Sequence, residues 1–532
     1  MKSFNQTNRV VGKDWLQYHP YNNFTLVDNY YMKLCNTVLK IIQTSEIVDF
    51  LDDPKEGKEL ACVLTAYFED VISETRLFST FTHLHKKMYG KELPFYEIPD
   101  DYYDDEINLR DLYFLIWYQI SVHSKDIIID PYFENDQAFN EAASKIYYLF
   151  DSEFEKAPQN EHLQNFLQLS ADSKVGTVRE KLSFIACESF LWKAFFDDYF
   201  ADVLDRYQVN STIVLDNQKE VEIYDSRVHF IFNNCMPLLT LRANEYLAEV
   251  LGEKHSEYSF IKNISKRIMG CFLIRKIEKD GFLIEHLSSK KQLWLSNEFT
   301  SFKNVKLVEN ETVLTICLVK WKGDVWQNQG LCLVESIKGR EGKDISEHLF
   351  EDENEKKKFI ANLEKAFLAL SKGERMVYIR GNREYAQFQF DLTVKHAKIT
   401  DPKLTDKELN EKYQNFSEDD IKNIPFEDDE AIGIFFNPNG GIEIYRESVI
   451  SCMPDKNNPY YAHEEFDLCE LLTNSIFSKE FLNYAIGNDK IKFCIDDYEN
   501  PDMFRIVMEN FDFLLRFYRQ SDYFSERTAI IE

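Results

Sequence analysis

The sequence predicts an α+β multidomain protein. An N-terminal helical bundle spans residues 1–265, a small five-stranded β-barrel (SH3-like or OB-like) spans 266–345, and a C-terminal α+β domain spans 346–532. Three observations predict this. Apolar residues recur at three- and four-residue spacing from about residue 28 to 265, as they do along helices with one buried face. Between about 268 and 337 the period drops to two, in five short runs separated by turn residues. The 532 residues are 44% hydrophobic and 15% aromatic, with 43 Phe and 29 Tyr against 17 Gly and 13 Pro. That composition fills several cores and excludes a disordered or collagen-like chain.

The first helix is expected over Tyr30, Leu34, Val38, Ile41 and Ile42, which share one face. A second is expected over 57–81, with Leu60, Leu64, Phe68, Val71, Ile72 and Leu77 on its stripe. Helices over 108–123, 135–150 and 177–208 follow, and a short extended patch at 212–215 and 220–224 precedes a helix at 236–251. Asp53-Pro54, Leu93-Pro94, Asp130-Pro131 and Ala157-Pro158 punctuate the series, because the residue before proline disfavours helix. The strands are expected at 270–277, 281–287, 292–295, 313–321 and 330–335. Asp280-Gly281 and Gly323-Asp324 supply residues suited to hairpin turns. Beyond them lie a helix at 352–371, a hairpin of 431–436 with 442–445, and closing helices at 466–486 and 501–518.

The chain carries 62 Lys+Arg against 91 Asp+Glu, a net charge of -29, which opposes bulk binding to nucleic acid. The charge is uneven. Residues 266–345 hold 14 Lys+Arg and 10 Asp+Glu, a basic surplus that neither flanking segment shares. The opening residues lack the apolar stretch of a secretory signal. The most apolar window, 112–122, is shorter than the roughly 20 residues needed to cross a bilayer. The 10 Cys are scattered without a Cys-x-x-Cys pair, as expected of reduced core thiols in a cytoplasmic protein with no membrane contact.

Lys13-Asp14-Trp15-Leu16, His19-Pro20-Tyr21 and the run Asp28, Tyr30, Tyr31, Lys33, Leu34, Asn36 form an opening motif. It resembles the start of an uncharacterised bacterial domain family. The resemblance implies an intracellular bacterial origin and no known activity or site residues.

The sequence contains no Gly-x-Gly-x-x-Gly, no phosphate-loop motif, no Gly-x-Ser-x-Gly elbow and no His-Glu-x-x-His, so the commonest enzyme classes find no support. Three constellations remain. His83-x-His85, with Glu69, Asp70 and Glu74 upstream, offers metal-ligating groups, although residues two apart on a helix point about 200° apart. Asp197-Asp198 and the acidic run 100–106 offer carboxylate pairs, or simply favourable charge at a helix start. The barrel holds Trp294, Trp321 and Trp326, with Lys320 and Lys322 flanking Trp321. Aromatics beside lysines can form a binding surface, and tryptophans in so small a fold equally fill its core.

The expectation is a non-enzymatic binding or scaffold protein, without cofactor or metal, that contacts a protein partner through Trp294, Lys320, Trp321, Lys322 and Trp326. A basic partner would suit the acidic surroundings. An enzyme, such as a hydrolase with a carboxylate or histidine site, is the alternative. Nucleic-acid binding confined to the barrel is a third possibility.

Overall fold

The helix Leu109–His123 (α5) is buried on every side from Asp111 to Val122, and the first core is built around it. Trp117 at its centre meets Phe95 at 4.7 Å and Phe517 at 5.1 Å between ring centroids, and its indole N–H donates to the Ile129 carbonyl at 3.0 Å. This is where much of the aromatic content goes. Large rings bury the most apolar area per residue, and edge-to-face contacts hold them in place. The computed structural model describes residues 9–519 except 52, 100–101, 126, 132–136, 208–216, 299–304, 338–352, 414–415 and 496–499. It contains two compact units, Met1–His348 with Arg505–Glu532, and Leu349–Phe504. The closing helix Phe511–Tyr518, which supplies Phe513 and Phe517 to the α5 core, therefore belongs to the first unit.

Eleven further helices of the first unit enter the argument: α1 (Gly12–Leu16), α2 (Leu26–Gln43), α3 (Pro54–Ile72), α4 (Leu77–Tyr89), α6 (Gln137–Glu153), α7 (Glu161–Leu167), α8 (Val175–Cys187), α9 (Lys193–Arg206), α10 (Asn217–Asn233), α11 (Ala243–Leu251) and α12 (Tyr258–Lys262). The buried face of α2 is Tyr31, Leu34, Cys35, Val38, Leu39 and Ile42, which keeps Leu34, Val38 and Ile42 of the expected stripe and leaves Tyr30 and Ile41 half-buried. The helix expected over 57–81 is two helices. The chain turns at Glu74 and Arg76, both at positive φ, and the buried Asp70 carboxylate accepts the Leu77 and Phe78 backbone N–H groups at 2.8 Å. That carboxylate satisfies donors that a helix start leaves open, so a second helix can begin there. The helix expected over 177–208 is likewise broken, between Cys187 and Lys193. Residues 220–224, expected to be extended, lie in α10, and the patch at 212–215 falls outside the described residues. The alternation of Val221 and Ile223 was outweighed by the buried C-terminal turns of α10, from Val228 to Asn233.

The strands β1 (Ile268–Ile277), β2 (Gly281–His286), β3 (Gln292–Ser296), β4 (Thr312–Lys320) and β5 (Val325–Ser336) match the five expected runs. They close on themselves in the order β1-β2-β3-β5-β4, with β4 back against β1 and with β3 parallel to β5. Their inner face packs Phe272, Ile274, Ile284, Leu295, Leu314, Ile316 and Leu318. The sheet is anchored to α10 by a buried cluster. The Arg267 guanidinium pairs with Asp225 and donates to the Gln329 carbonyl at 2.7 Å, and the Leu331 N–H donates to Asp225 at 2.7 Å. Gly330 passes between these groups at φ +123, where an added Cβ would overlap both the Asp225 carboxylate and the Arg267 guanidinium. Gly330→Ala is therefore expected to lower the unfolding free energy by at least the roughly 1–3 kcal/mol of a strained backbone, read as a lower denaturant midpoint.

In the second unit a three-stranded antiparallel sheet runs in the order Met376–Arg380, Ala431–Asn437, Gly441–Tyr445. Phe367 of helix Glu353–Leu370 and Leu392 of helix Gly381–Thr400 pack on Ile432, Ile434 and Phe436. The hairpin and the first helix were expected. The strand Met376–Arg380 and the helix after it were not. The span expected as one helix at 466–486 holds two short helices, Leu468–Thr473 and Lys479–Ile486, and 501–518 holds Met503–Glu509 and Phe511–Tyr518. All ten cysteines are free thiols. No described helix is long and apolar enough to cross a membrane.

Candidate functional site

The opening motif folds into a polar ring that α1, α2, α3 and the start of α7 share. Thr25 caps α2, and the Asp28 carboxylate reaches back to the Thr25 backbone N–H and hydroxyl at 2.7 Å. Its other oxygen accepts the Trp15 indole N–H at 3.2 Å and the Tyr21 hydroxyl at 3.0 Å. The Asn160 amide donates to the Tyr21 hydroxyl at 2.7 Å and to Glu69 at 2.8 Å. Glu69 faces His19 Nε2 at 2.7 Å, and His19 Nδ1 lies 3.1 Å from the Trp15 carbonyl, which closes the ring. Asp28, Glu69, His19 and Asn160 are all buried. Burial alone would push the His19 imidazole down. The adjacent Glu69 carboxylate more than offsets this and raises it above the ordinary histidine value.

Above this ring lies an open groove of about 820 Å³. One wall is Gly12, Lys13, Leu16, His19, Phe24 and Met32; the other is Cys187, Glu188, Lys193, Phe196 and Arg227. Gly12 packs closely on the Phe24 ring in the first wall, where an added Cβ would lie 3.2 Å from it. On the second wall the Arg227 guanidinium donates to Glu188 at 3.2 Å and lies over the Phe196 ring at 5.5 Å. Lys193, itself buried, holds Asp197 at 2.7 and 2.9 Å. Lys13 makes no ion pair among the described residues and is exposed. Burial raises the Glu188 carboxyl, against the pull of Arg227, Lys193 and His19. Burial also pushes the Cys187 thiol up to about 12, so it stays protonated and is a poor nucleophile.

The residues singled out in the sequence do not converge. Trp326 turns inward against the sheet core, beside Leu295. Trp321 is buried, with its ring against Phe260 of α12 at 5.7 Å. Lys322 lies over Phe260 and 3.6 Å from Glu257, and Lys320 pairs with Asp324 at 3.1 Å. Trp294 stands on the outer face of β3, opposite Leu283 and against Gly281.

His83 and His85 both lie within α4, where His83 is exposed and His85 is buried with Nδ1 2.6 Å from the Lys91 carbonyl. Burial pushes the His85 imidazole down to about 4, so it is neutral. Glu69 belongs to the polar ring, and Asp70 to the start of α4. Asp197 pairs with Lys193, and Asp198 with Lys125 at 2.7 Å. Asp100 and Asp101 fall outside the described residues. Among the described residues no three His, Cys, Asp or Glu side chains are placed to hold a metal ion.

Glu69, Asn160, Glu188, Lys193 and Arg227 were not assigned to a common site in the sequence. The available signal was the opening motif, whose Trp15, His19, Tyr21 and Asp28 all enter the ring. Its partners stand 50 residues from His19 and 139 from Tyr21. No curated protein and no solved structure matches the chain. The N-terminal part, residues 9–271, which holds the ring and the groove, matches the model of the family described as protein of unknown function (DUF3843).

Proposed function

We propose that the chain is a non-enzymatic intracellular binding protein that takes part of a protein partner into the groove of its first unit. The observation that carries this is the groove itself. It sets Lys13, Lys193 and Arg227 around apolar Leu16, Phe24 and Phe196 in a chain of net charge -29. A concave, mostly apolar surface with a few placed polar groups is the usual form of a binding site. Both His19 nitrogens are engaged and the Cys187 thiol stays protonated, which favours binding over nucleophilic or general-base chemistry. The test is retention of a partner through purification from the native source, read by native mass spectrometry. Wild type and Trp294→Ala should keep the same partner, and Arg227→Glu should lose it. Retention by Arg227→Glu with loss in Trp294→Ala would move the site to the closed sheet.

A second reading rests on that sheet, which we take as a small barrel of the OB-like kind. The order β1-β2-β3-β5-β4 with β3 parallel to β5 favours it over the SH3-like alternative. Trp294 sits on the outer β2–β3 face, where barrels of this kind stack bases, and residues 266–345 carry the basic surplus. Single-stranded oligonucleotide binding that weakens steeply with salt and is lost in Trp294→Ala would support this reading.

A further inference from the structure

We infer that the groove recognises a short acidic and apolar peptide segment, an inference that rests on the groove being the binding site. Two features select this occupant. The first is charge. Arg227 is paired with Glu188 and Lys193 with Asp197, which leaves Lys13 as the wall cation with no ion pair among the described residues. The walls thus carry a small positive surplus, and the local field favours carboxylates although the chain as a whole repels them. At physiological salt the Debye length is about 8 Å, so the distant acidic groups are largely screened and the small surplus at the walls acts at contact. Arg227 is suited to the task, since its guanidinium lies over Phe196 and has further N–H groups to donate to a second carboxylate beside Glu188.

The second feature is the apolar rim. Phe24 lines the groove and is 43% exposed. Leu16, Met32 and Phe196 line the groove with it. An apolar lining of this kind is of no use to a fully solvated small anion. It suits a chain that alternates carboxylates with leucine or phenylalanine, whose apolar side chains would cover the rim while the carboxylates meet the cations.

The experiment measures fluorescence anisotropy of a fluorescein-labelled peptide alternating glutamate with leucine and phenylalanine, against the full-length chain. Two counterpart peptides replace glutamate by lysine, or the apolar residues by serine. The acidic-apolar peptide should bind, and both counterparts should bind at least 10-fold more weakly. Lys13→Glu and Phe24→Ser, both at exposed positions and compatible with folding, should each weaken the first peptide about 10-fold, and Arg227→Glu more. Equal or tighter binding of the lysine peptide overturns the inference, as does absence of binding by the first peptide. If sodium citrate or inorganic phosphate binds, and loses that binding in Arg227→Glu while the peptide does not bind, the groove stands as a site and the peptide class falls. Peptide binding that none of the three substitutions changes lies elsewhere, and removes the groove reading as well.

Discussion

Glu69→Ala is expected to destabilise the first unit by about 3–5 kcal/mol, the range for removing one partner of a buried, hydrogen-bonded charge pair. Glu69 holds two of the ring's contacts, to His19 at 2.7 Å and to Asn160 at 2.8 Å, and both partners are inaccessible to water that might replace it. Loss of the carboxylate strands a buried imidazolium and an amide N–H. Glu69→Gln, which keeps the shape and one acceptor, should cost less. The pH dependence has a definite sign. His19 is raised above its unfolded value near 6.5 by Glu69, so the pair's contribution is fully present below that value and is lost as pH rises through the higher folded value. The difference between wild type and Glu69→Ala in urea midpoint should therefore be larger at pH 6 than at pH 9. Equal differences at both would mean that His19 is neutral throughout.

Arg267→Ala is expected to release the closed sheet from α10 at a similar cost, about 3–5 kcal/mol. Arg267 is 1% exposed and its guanidinium ties two elements, Asp225 on α10 and the Gln329 carbonyl on β5, while its backbone N–H donates to the Asn233 side chain at the end of α10 at 2.7 Å. The uncompensated Asp225 carboxylate would keep the Leu331 N–H as partner and lose its cation. Hydrogen exchange resolves the effect. The amides of β5 around Gln329 to Val334 should exchange faster in the variant, with α2 and α3 unchanged. Unchanged protection in β5 would show that the inner apolar face alone holds the sheet.

How much of this was legible depends on sequence distance. The five strands could be read because alternation and turn residues are local, and Asp280-Gly281 marks the first hairpin without help from the rest of the chain. Met376–Arg380 could not, since five residues between two helices carry too little period to stand out. The break between α3 and α4 depends on Asp70 accepting N–H groups seven and eight residues ahead, a tertiary arrangement that overrides a continuous apolar stripe. Trp321 was placed at a hairpin tip, and it is at that tip; what could not be seen is that Phe260 of α12 covers it. The site shows the same divide. Trp15, His19, Tyr21 and Asp28 stand close together in the opening motif. Glu69, Asn160 and the groove wall from Cys187 to Arg227 are brought to them only by the packing of α3, α7, α8, α9 and α10.

The most direct measurement places a photo-crosslinking phenylalanine analogue at position 24, on the groove rim, and separately at position 294, on the outer face of β3. Each full-length protein is irradiated in extract of its native source, and the adducts are mapped by mass spectrometry. The groove account predicts a discrete protein adduct from position 24 that disappears when Arg227→Glu is added, with position 294 silent. A discrete adduct from position 294 with position 24 silent would contradict it.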